Sequence, residues 1–531
     1  MASEGIDFAD LEHREMDIEE SASHPETARL LAELDRKQSA RRIAVPTKDA
    51  DVRLRLREMG EPITLFGERP EDRRDRLRYL WSQQRQKEKD AKMQVGSDEE
   101  EESSSGSEDE DEEKEEEFYT EGTLDLKAAR KDIAEFSLPR ARKRVARQRS
   151  ETSIPLGRLI DVRRAVFSNL KSFTNLGSQI GDTRALSSLR FSPDSSMLLT
   201  SSWTGTAKLW SVPACKEIKT IKAHKERIGG VAWHPQATLS QSRTATNFAT
   251  SGADNDIKLW GLDGDAPLQT LSGHSARVCR IGFHPSGRYL GSASYDGTWR
   301  LWDVERGGEE LLLQEGHSKE VYSIAFQGDG SLVCTGGLDA IGRVWDLRSG
   351  KTCMVLDGHV KDILAIDFSP NGHQIATGSN DDTIRIWDLR SLKSIYTIPA
   401  HKSAISDLKF FHAPPSSPSS YPSTSLPRGF ASLDVFAESK GEADKSHDAD
   451  MVVDGEEKPD YPISGSFLVS GGYDGMVKIW SADDWQQVKS MTSDQSGKVM
   501  SVDVSADARF IASAEYSRTF KLWSHPDVDL D

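Results

Sequence analysis

Five times along this 531-residue chain a histidine, a Ser or Thr and an aspartate recur in order, the side chains of a hydrolytic triad. The sets are His224/Thr250/Asp254, His274/Ser292/Asp296, His317/Thr335/Asp339, His359/Thr377/Asp381 and His401/Ser470/Asp474, and the hydroxyl residue always stands four before the Asp. One such set would supply a hydroxyl nucleophile, a base and a carboxylate to orient the base. Catalysis needs that machinery in one place beside an oxyanion site, whereas five copies describe a packing device. No nucleophile elbow, P-loop or metal-ligand cluster stands elsewhere. The expectation is therefore a protein that is not an enzyme, with no catalytic residue, cofactor or metal. Cys215, Cys279, Cys334 and Cys353 are widely spaced without a CxxC pair, which fits a reducing compartment. The first residues lack an apolar signal segment and no long apolar run spans a membrane, so a soluble intracellular chain is expected.

The triads repeat because the elements carrying them repeat. Seven tryptophans end near-identical strings, from KLW at 208–210 to KLW at 521–523, with spacings of 50, 42, 43, 42, 93 and 43. The 93 is one unit plus an insertion at about 413–463, Pro/Ser-rich and then acidic, which is expected to be disordered. Between the markers run short alternating segments such as "ILAIDFSP" and "TIRIW", punctuated by Gly, Asn and Asp, which read as strands joined by tight turns.

Gly-His, turn Asp and Trp-Asp markers in phase over roughly 174–523 resemble WD40 repeats. The resemblance implies an all-β seven-bladed WD40 β-propeller. It also implies that each His–Ser/Thr–Asp set joins a tryptophan (Trp260, Trp302, Trp345, Trp387 or Trp480) in a buried hydrogen-bonded network. Two blades depart from the pattern: the first has Asp182 and Thr204 at the His and Asp positions, the last Gln495 and Ser517. Both are expected to be weaker. After Trp523 too little chain remains for a fourth strand, so "TNLGSQ" at 174–179 is expected to close the ring.

The formal charge of 68 − 86 = −18 hides segregation. Residues 98–117 hold 14 acids against one Lys; 36–92 hold 17 Lys/Arg against 10 acids, and 127–149 nine against two. The expected organisation is a tail (1–35), a helical module (36–92), an acidic disordered linker (93–117), a basic helical segment (118–173) and the propeller (174–531). Within 41–84 two helices are expected around a tight loop, with Gly60 as a C-terminal cap and Pro70 opening the second. Arg53, Arg55 and Arg57, the cluster Arg73, Arg74, Arg76 and Arg78, and Arg140, Arg142, Lys143 and Arg144 of "RARKRVARQR" are candidate contacts to RNA or protein.

On the propeller, the loops carrying the His and the turns carrying the Asp open on one face. Basic residues, among them Arg227 and Arg277, flank every His position, and Trp203, Tyr295, Tyr473 and Tyr516 precede the turn Asp position in four blades. Interleaved cations and aromatics suit RNA or an acidic peptide.

"IAVPTKDADVRLRLREMGEPITLFGERPEDRRDRLR" resembles the splicing-factor motif, and with the propeller it is similar to the pre-mRNA-processing factor 4 family. That resemblance implies a nuclear, non-enzymatic scaffold of the U4/U6 small nuclear ribonucleoprotein and the U4/U6·U5 tri-snRNP in pre-mRNA splicing. Its implied partners are U4/U6 snRNA, pre-mRNA-processing factor 3, a cyclophilin-type prolyl isomerase and other tri-snRNP proteins, with no membrane. A rival reading rests on "WDLR" at 345–348 and 387–390, which resembles the adaptor box of WD40 substrate receptors of cullin-ring ubiquitin ligases.

Overall fold

The structure, a computed structural model, describes residues 45–46, 49–65, 68–95, 122–152, 156–413, 464–492 and 497–526. The expected tail, most of the acidic linker, the bulk of the 413–463 insertion and Gln495 lie outside the described residues. The chain divides into two compact units, Met1–Glu117 and Phe118–Asp531.

In the first unit α1 (Asp49–Glu58) and α2 (Pro70–Val95) meet through Val52, Leu56 and Leu77, with Met59, Leu80 and Trp81 around them. Gly60, at φ 75°, ends α1: its N–H donates to the Arg57 carbonyl and that of Glu61 to Leu56. Only a residue free to adopt the left-handed region ends a helix this way without strain. Pro70 opens α2, and the Asp72 carboxylate accepts from the Arg69 N–H at 3.1 Å, occupying an orphan donor.

The second unit is a seven-bladed propeller, each blade a four-stranded antiparallel sheet. Six blades are built from consecutive strands. The seventh joins three strands from Val499 to Ser524 with Thr174–Ile180, the closing strand. In five blades the pairing of third and fourth strands shifts register at the repeat Trp, as between Leu209 and Trp210 or Val344 and Trp345. The closing strand shifts between Asn175 and Gly177, opposite Trp523 and Leu522. It therefore fills the place of a fourth strand down to its irregularity, although six blades of chain separate it from its neighbour. The insertion falls between the first two strands of blade six, Ile405–Phe410 and Phe467–Gly472, so the blade absorbs it at a hairpin without losing a strand.

The segment before the ring is part of this unit. In α3 (Leu124–Glu151), Leu126, Ala129 and Ile133 recur at helical spacing and pack under blades three and four. Thr123 Oγ1 caps its first turn by accepting from the Leu126 N–H at 3.1 Å. In α4 (Leu156–Ser172), Val162, Val166 and Leu170, followed by Phe173, enter the core between blades six and seven beside Phe467, Val499 and Trp523. The expected basic helical segment thus comprises two helices seated on the propeller.

If ring closure carries the stability, a chain starting at Phe173 should outlast one starting at Gly181. Without the closing strand the seventh blade exposes a strand edge. Loss of several kcal/mol would lower the melting temperature by roughly 5–10 °C. Equal melting curves by circular dichroism would refute the closure argument.

Candidate functional site

Each of the five His–Ser/Thr–Asp sets is a closed relay. His224 Nδ1 meets the Asp254 carboxylate at 2.8 Å and its Nε2 meets Thr250 Oγ1 at 2.8 Å, while Trp260 Nε1 donates to the same hydroxyl at 3.0 Å. The pattern holds for His274, Asp296, Ser292 and Trp302 (2.8, 2.7 and 2.9 Å) and for His317, Asp339, Thr335 and Trp345 (3.1, 2.9 and 2.9 Å). It holds again for His359, Asp381, Thr377 and Trp387 (2.9, 2.8 and 2.9 Å) and for His401, Asp474, Ser470 and Trp480 (3.0, 2.8 and 2.9 Å). Every hydroxyl is buried and already engaged by both an indole and an imidazole. It has no free face toward a substrate, so the relay ties two strands, the turn between them and the loop entering the blade together. Burial opposes the charge on Asp296 and Asp474, but hydrogen bonds, from His274 and from His401 foremost, outweigh it and hold both carboxyls at about 2. At the first blade the carboxylate has moved: Thr204 and Thr206 donate their hydroxyls to Asp182. At the last blade Ser517 donates to Glu515 at 2.9 Å. Among the described residues no cluster of three or more His, Cys, Asp or Glu is placed to hold a metal, and no helix is long and apolar enough to cross a membrane.

The arginines of the first unit do not form one outward face. Arg73 is only 4% exposed, pairs with Asp49 and lies 3.6 Å from Glu68. Arg76 binds Glu68 at 2.7 Å and donates to the Pro62 carbonyl at 2.8 Å. Arg78 is buried, with Asp75 at 3.2 Å. Arg73 and Arg76 tie α2 to α1 and to the loop between them, so these members of the arginine cluster expected to contact RNA or protein have their charge engaged within the unit. The hydrogen bond from Arg76 is the main reason the Glu68 carboxyl sits below its usual range. Arg53 and Arg55 pair on the surface with Asp49 and Glu58, Arg57 is exposed and Arg74 is half-buried. A sequence reading cannot separate an arginine that bonds a carboxylate across a loop from one in water.

In α3 the basic run splits in the same manner. Arg144 turns to the propeller, binding Asp329 at 2.7 Å and the Asn371 carbonyl at 3.0 Å, with Gln148 on that carbonyl at 2.8 Å. Asp132 binds Arg288 at 2.6 Å, and the Phe136 ring stands 5.5 Å from that of His284. Burial lowers the His284 pKa to about 4, keeping the imidazole neutral in this contact. Arg140, Arg142, Lys143 and Arg149 remain exposed, a basic ridge on a helix fastened to the ring.

On the face bearing the histidines, the aromatics are half-buried apart from Tyr516, which is exposed. Arg277 lies 3.5 Å from the Tyr295 ring centre, Lys498 5.2 Å from that of Tyr473 and Arg227 6.0 Å from that of Trp203, which meets Tyr516 edge-on. Sequence reasoning missed Arg280 and Tyr322, which lie on the inner strands Val278–Phe283 and Val321–Phe326. Arg280 stands 5.7 Å over the Tyr322 ring. The available signal was charge within otherwise apolar inner strands, which has no place to go but the central channel. In the two Trp-Asp-Leu-Arg strings, Arg348 binds Asp346 at 3.0 Å and Arg390 binds Asp388 at 2.9 Å, so each pair is satisfied within its own turn.

Comparison with known proteins agrees with this geometry. The family described as pre-mRNA processing factor 4 (PRP4) like matches residues 52–80, covering most of α1, the loop and the start of α2. The WD domain, G-beta repeat, matches seven stretches between 173 and 524. U4/U6 small nuclear ribonucleoprotein Prp4 of Bos taurus is 45% identical over 286 residues, 53% of this chain and 52% of that protein. The human protein of that name is 42% identical over 230 residues, 42% and 41% of the two chains. U4/U6 small nuclear ribonucleoprotein PRP4 of Saccharomyces cerevisiae is 30% identical over 207 residues, 38% and 42%. The chain spans about half the length of the curated relatives it matches, or less.

Two outcomes follow from the paired groups. Asp339→Ala removes acceptors from His317 Nδ1 and from the Ser318 and Ile341 N–H groups, so the propeller should lose about 1–3 kcal/mol in denaturant melts. An unchanged midpoint would mean the relay is not structural. Arg73→Glu sets a third acid beside Asp49 and Glu68, and breaking a buried pair costs about 3–5 kcal/mol. Helical signal from an isolated 36–95 fragment should fall sharply, while Arg57→Glu should leave it intact.

Proposed function

We propose that this chain, which belongs to the pre-mRNA-processing factor 4 family of WD40-repeat proteins, is a nuclear component of a splicing U4/U6 small nuclear ribonucleoprotein. In this reading it is a scaffold rather than an enzyme, holding snRNA and protein partners in register. The observation that carries it is one chain joining the family's motif at 52–80 to a seven-bladed ring, with a relative named for that particle at 45% identity. The histidine relays support a scaffold, because every hydroxyl that would act as a nucleophile is consumed in holding strands.

The RNA contact is assigned to the outer ridge of α3. Arg140, Arg142, Lys143 and Arg149 are exposed there, and Arg144, Gln148 and Asp132 fix the helix on the propeller. A rigid row of guanidinium and ammonium groups meets phosphates without ordering a loose segment first. The protein partners implied by the resemblance, pre-mRNA-processing factor 3 and a cyclophilin-type prolyl isomerase, would then engage other surfaces. The ligase reading draws no support from its two arginines, since their local pairs account for the strings.

Arg142→Glu with Lys143→Glu tests the ridge. Recovery of U4/U6 RNA with the tagged protein should drop, and the slope of log affinity against log salt should flatten by about 0.7–0.9 for each phosphate no longer neutralised. The melting temperature should hold, because both side chains point away from the ring into water. Wild-type recovery with an unchanged slope would refute the assignment, and recovery of a ligase adaptor in place of snRNP proteins would refute the function.

A further inference from the structure

The mouth of the central channel, on the face opposite α3, gathers cations that no carboxylate bonds directly. Three tyrosines come together there from blades three, four and six: Tyr295 and Tyr322, with ring centres 6.5 Å apart, and Tyr473. Each carries a cation on its ring: Arg277 at 3.5 Å, Arg280 at 5.7 Å and Lys498 at 5.2 Å. Arg280 is 9% exposed; its bonds run to carbonyls, Gly229 at 2.9 Å and Ser187 at 3.4 Å, and the buried Asp407 feels its charge without bonding it. Among the described residues none of the three cations forms an ion pair with a carboxylate, and Arg277 Nε is buried without an acceptor. Deeper in the channel, around a cavity of about 300 Å³, the acids are already engaged: Asp407 by Arg190 and Asp367 by Lys409, both at 2.9 Å.

Cations gathered at one opening without a directly bonded carboxylate repel one another, and an anionic ligand relieves that repulsion. Burial raises all three phenols, Tyr295 and Tyr473 to about 12, so they stay protonated and able to donate. The mouth therefore offers three cations and three O–H donors to an anion. The faces of the tyrosines are taken by the cations, which removes the platform on which unpaired bases stack. The opening also lies on the ring axis, a pit rather than a groove that could follow a sugar–phosphate backbone.

We infer that the channel mouth is a docking site for an acidic peptide, two or more of whose carboxylates meet Arg277, Arg280 and Lys498 and accept from the tyrosine hydroxyls. Extended chain seats one carboxylate into the pit beside Arg280 and leaves another on the rim. The site is separate from the α3 ridge, lies on the other face, and stands whether or not that ridge binds RNA.

Fluorescence anisotropy of a labelled Glu-rich octapeptide on the full chain tests this, with an oligouridine octamer as competitor. Arg277→Gln with Lys498→Gln should weaken peptide binding by about tenfold or more, since each removes a charge pair formed on binding. Tyr473→Phe should weaken it less. Both variants should keep the wild-type melting temperature, because the residues changed are exposed or half-buried and make no ion pair. The octamer should not displace the peptide, and Arg142→Glu with Lys143→Glu should bind it as wild type does. The inference is overturned if the peptide does not bind, if the folded variants bind it equally well, or if the octamer displaces it.

Discussion

A ring of sheets has no unprotected joint only if its two ends share a blade, and everything else in the second unit depends on that constraint. Seven strongly twisted antiparallel sheets stacked face to face bury their strands on both sides. An unclosed ring would leave the inner face of one blade and the edge of another in water. Thr174–Ile180 meets the constraint although all its residues are exposed. Its contribution is backbone pairing to Thr519–Ser524 rather than apolar burial. Phe173 and α4, placed just before it, bury what the strand does not, and so hold the joint from the core side.

The relays follow from the same geometry. Packing blades at a fixed angle leaves the turn between second and third strands close to the loop entering the blade, and both must hold one position. A buried hydrogen-bonded chain from indole to hydroxyl to imidazole to carboxylate does this with directional bonds where apolar contact would allow sliding. The first and last blades, where the relay is replaced by Asp182 with two threonines and by Glu515 with Ser517, are those tied by closure instead. The joint and the relays thus substitute for each other.

Much of this was legible because repetition averages out local ambiguity. Trp210 alone says little, but seven tryptophans at one period fix the blade, and a missing fourth strand after Trp523 points back to residue 174. What stayed hidden was side-chain partnership over long separations. Arg144 and Asp329 are 185 residues apart, and no local pattern distinguishes Arg144 from Arg142 two positions away. Pro139 lies inside α3, where proline is unfavourable, so the length of that helix was not readable either. Arg280 and Tyr322 escaped because residues of inner strands read as core, while the axis of a propeller is a polar channel that core statistics do not describe.

Positive charge on this acidic chain consequently has three different physical uses, set by the nearest carboxylate rather than by composition. Where an acid lies across a loop, as for Arg73 and Arg76, the guanidinium is a tie that closes a small module with little apolar core of its own. Where the acid lies on another element, as for Arg144 with Asp329, it is an anchor that makes a helix part of a rigid surface. Where no acid forms an ion pair with it, on the α3 ridge and at the channel mouth, the charge stays open to the anions proposed above. The two ligand-facing settings differ in what they select. Exposed cations are screened and attract any polyanion, whereas half-buried cations backed by phenols favour an anion that fits their spacing. On the reading proposed above, a nucleic acid and an acidic peptide would meet opposite faces of one ring.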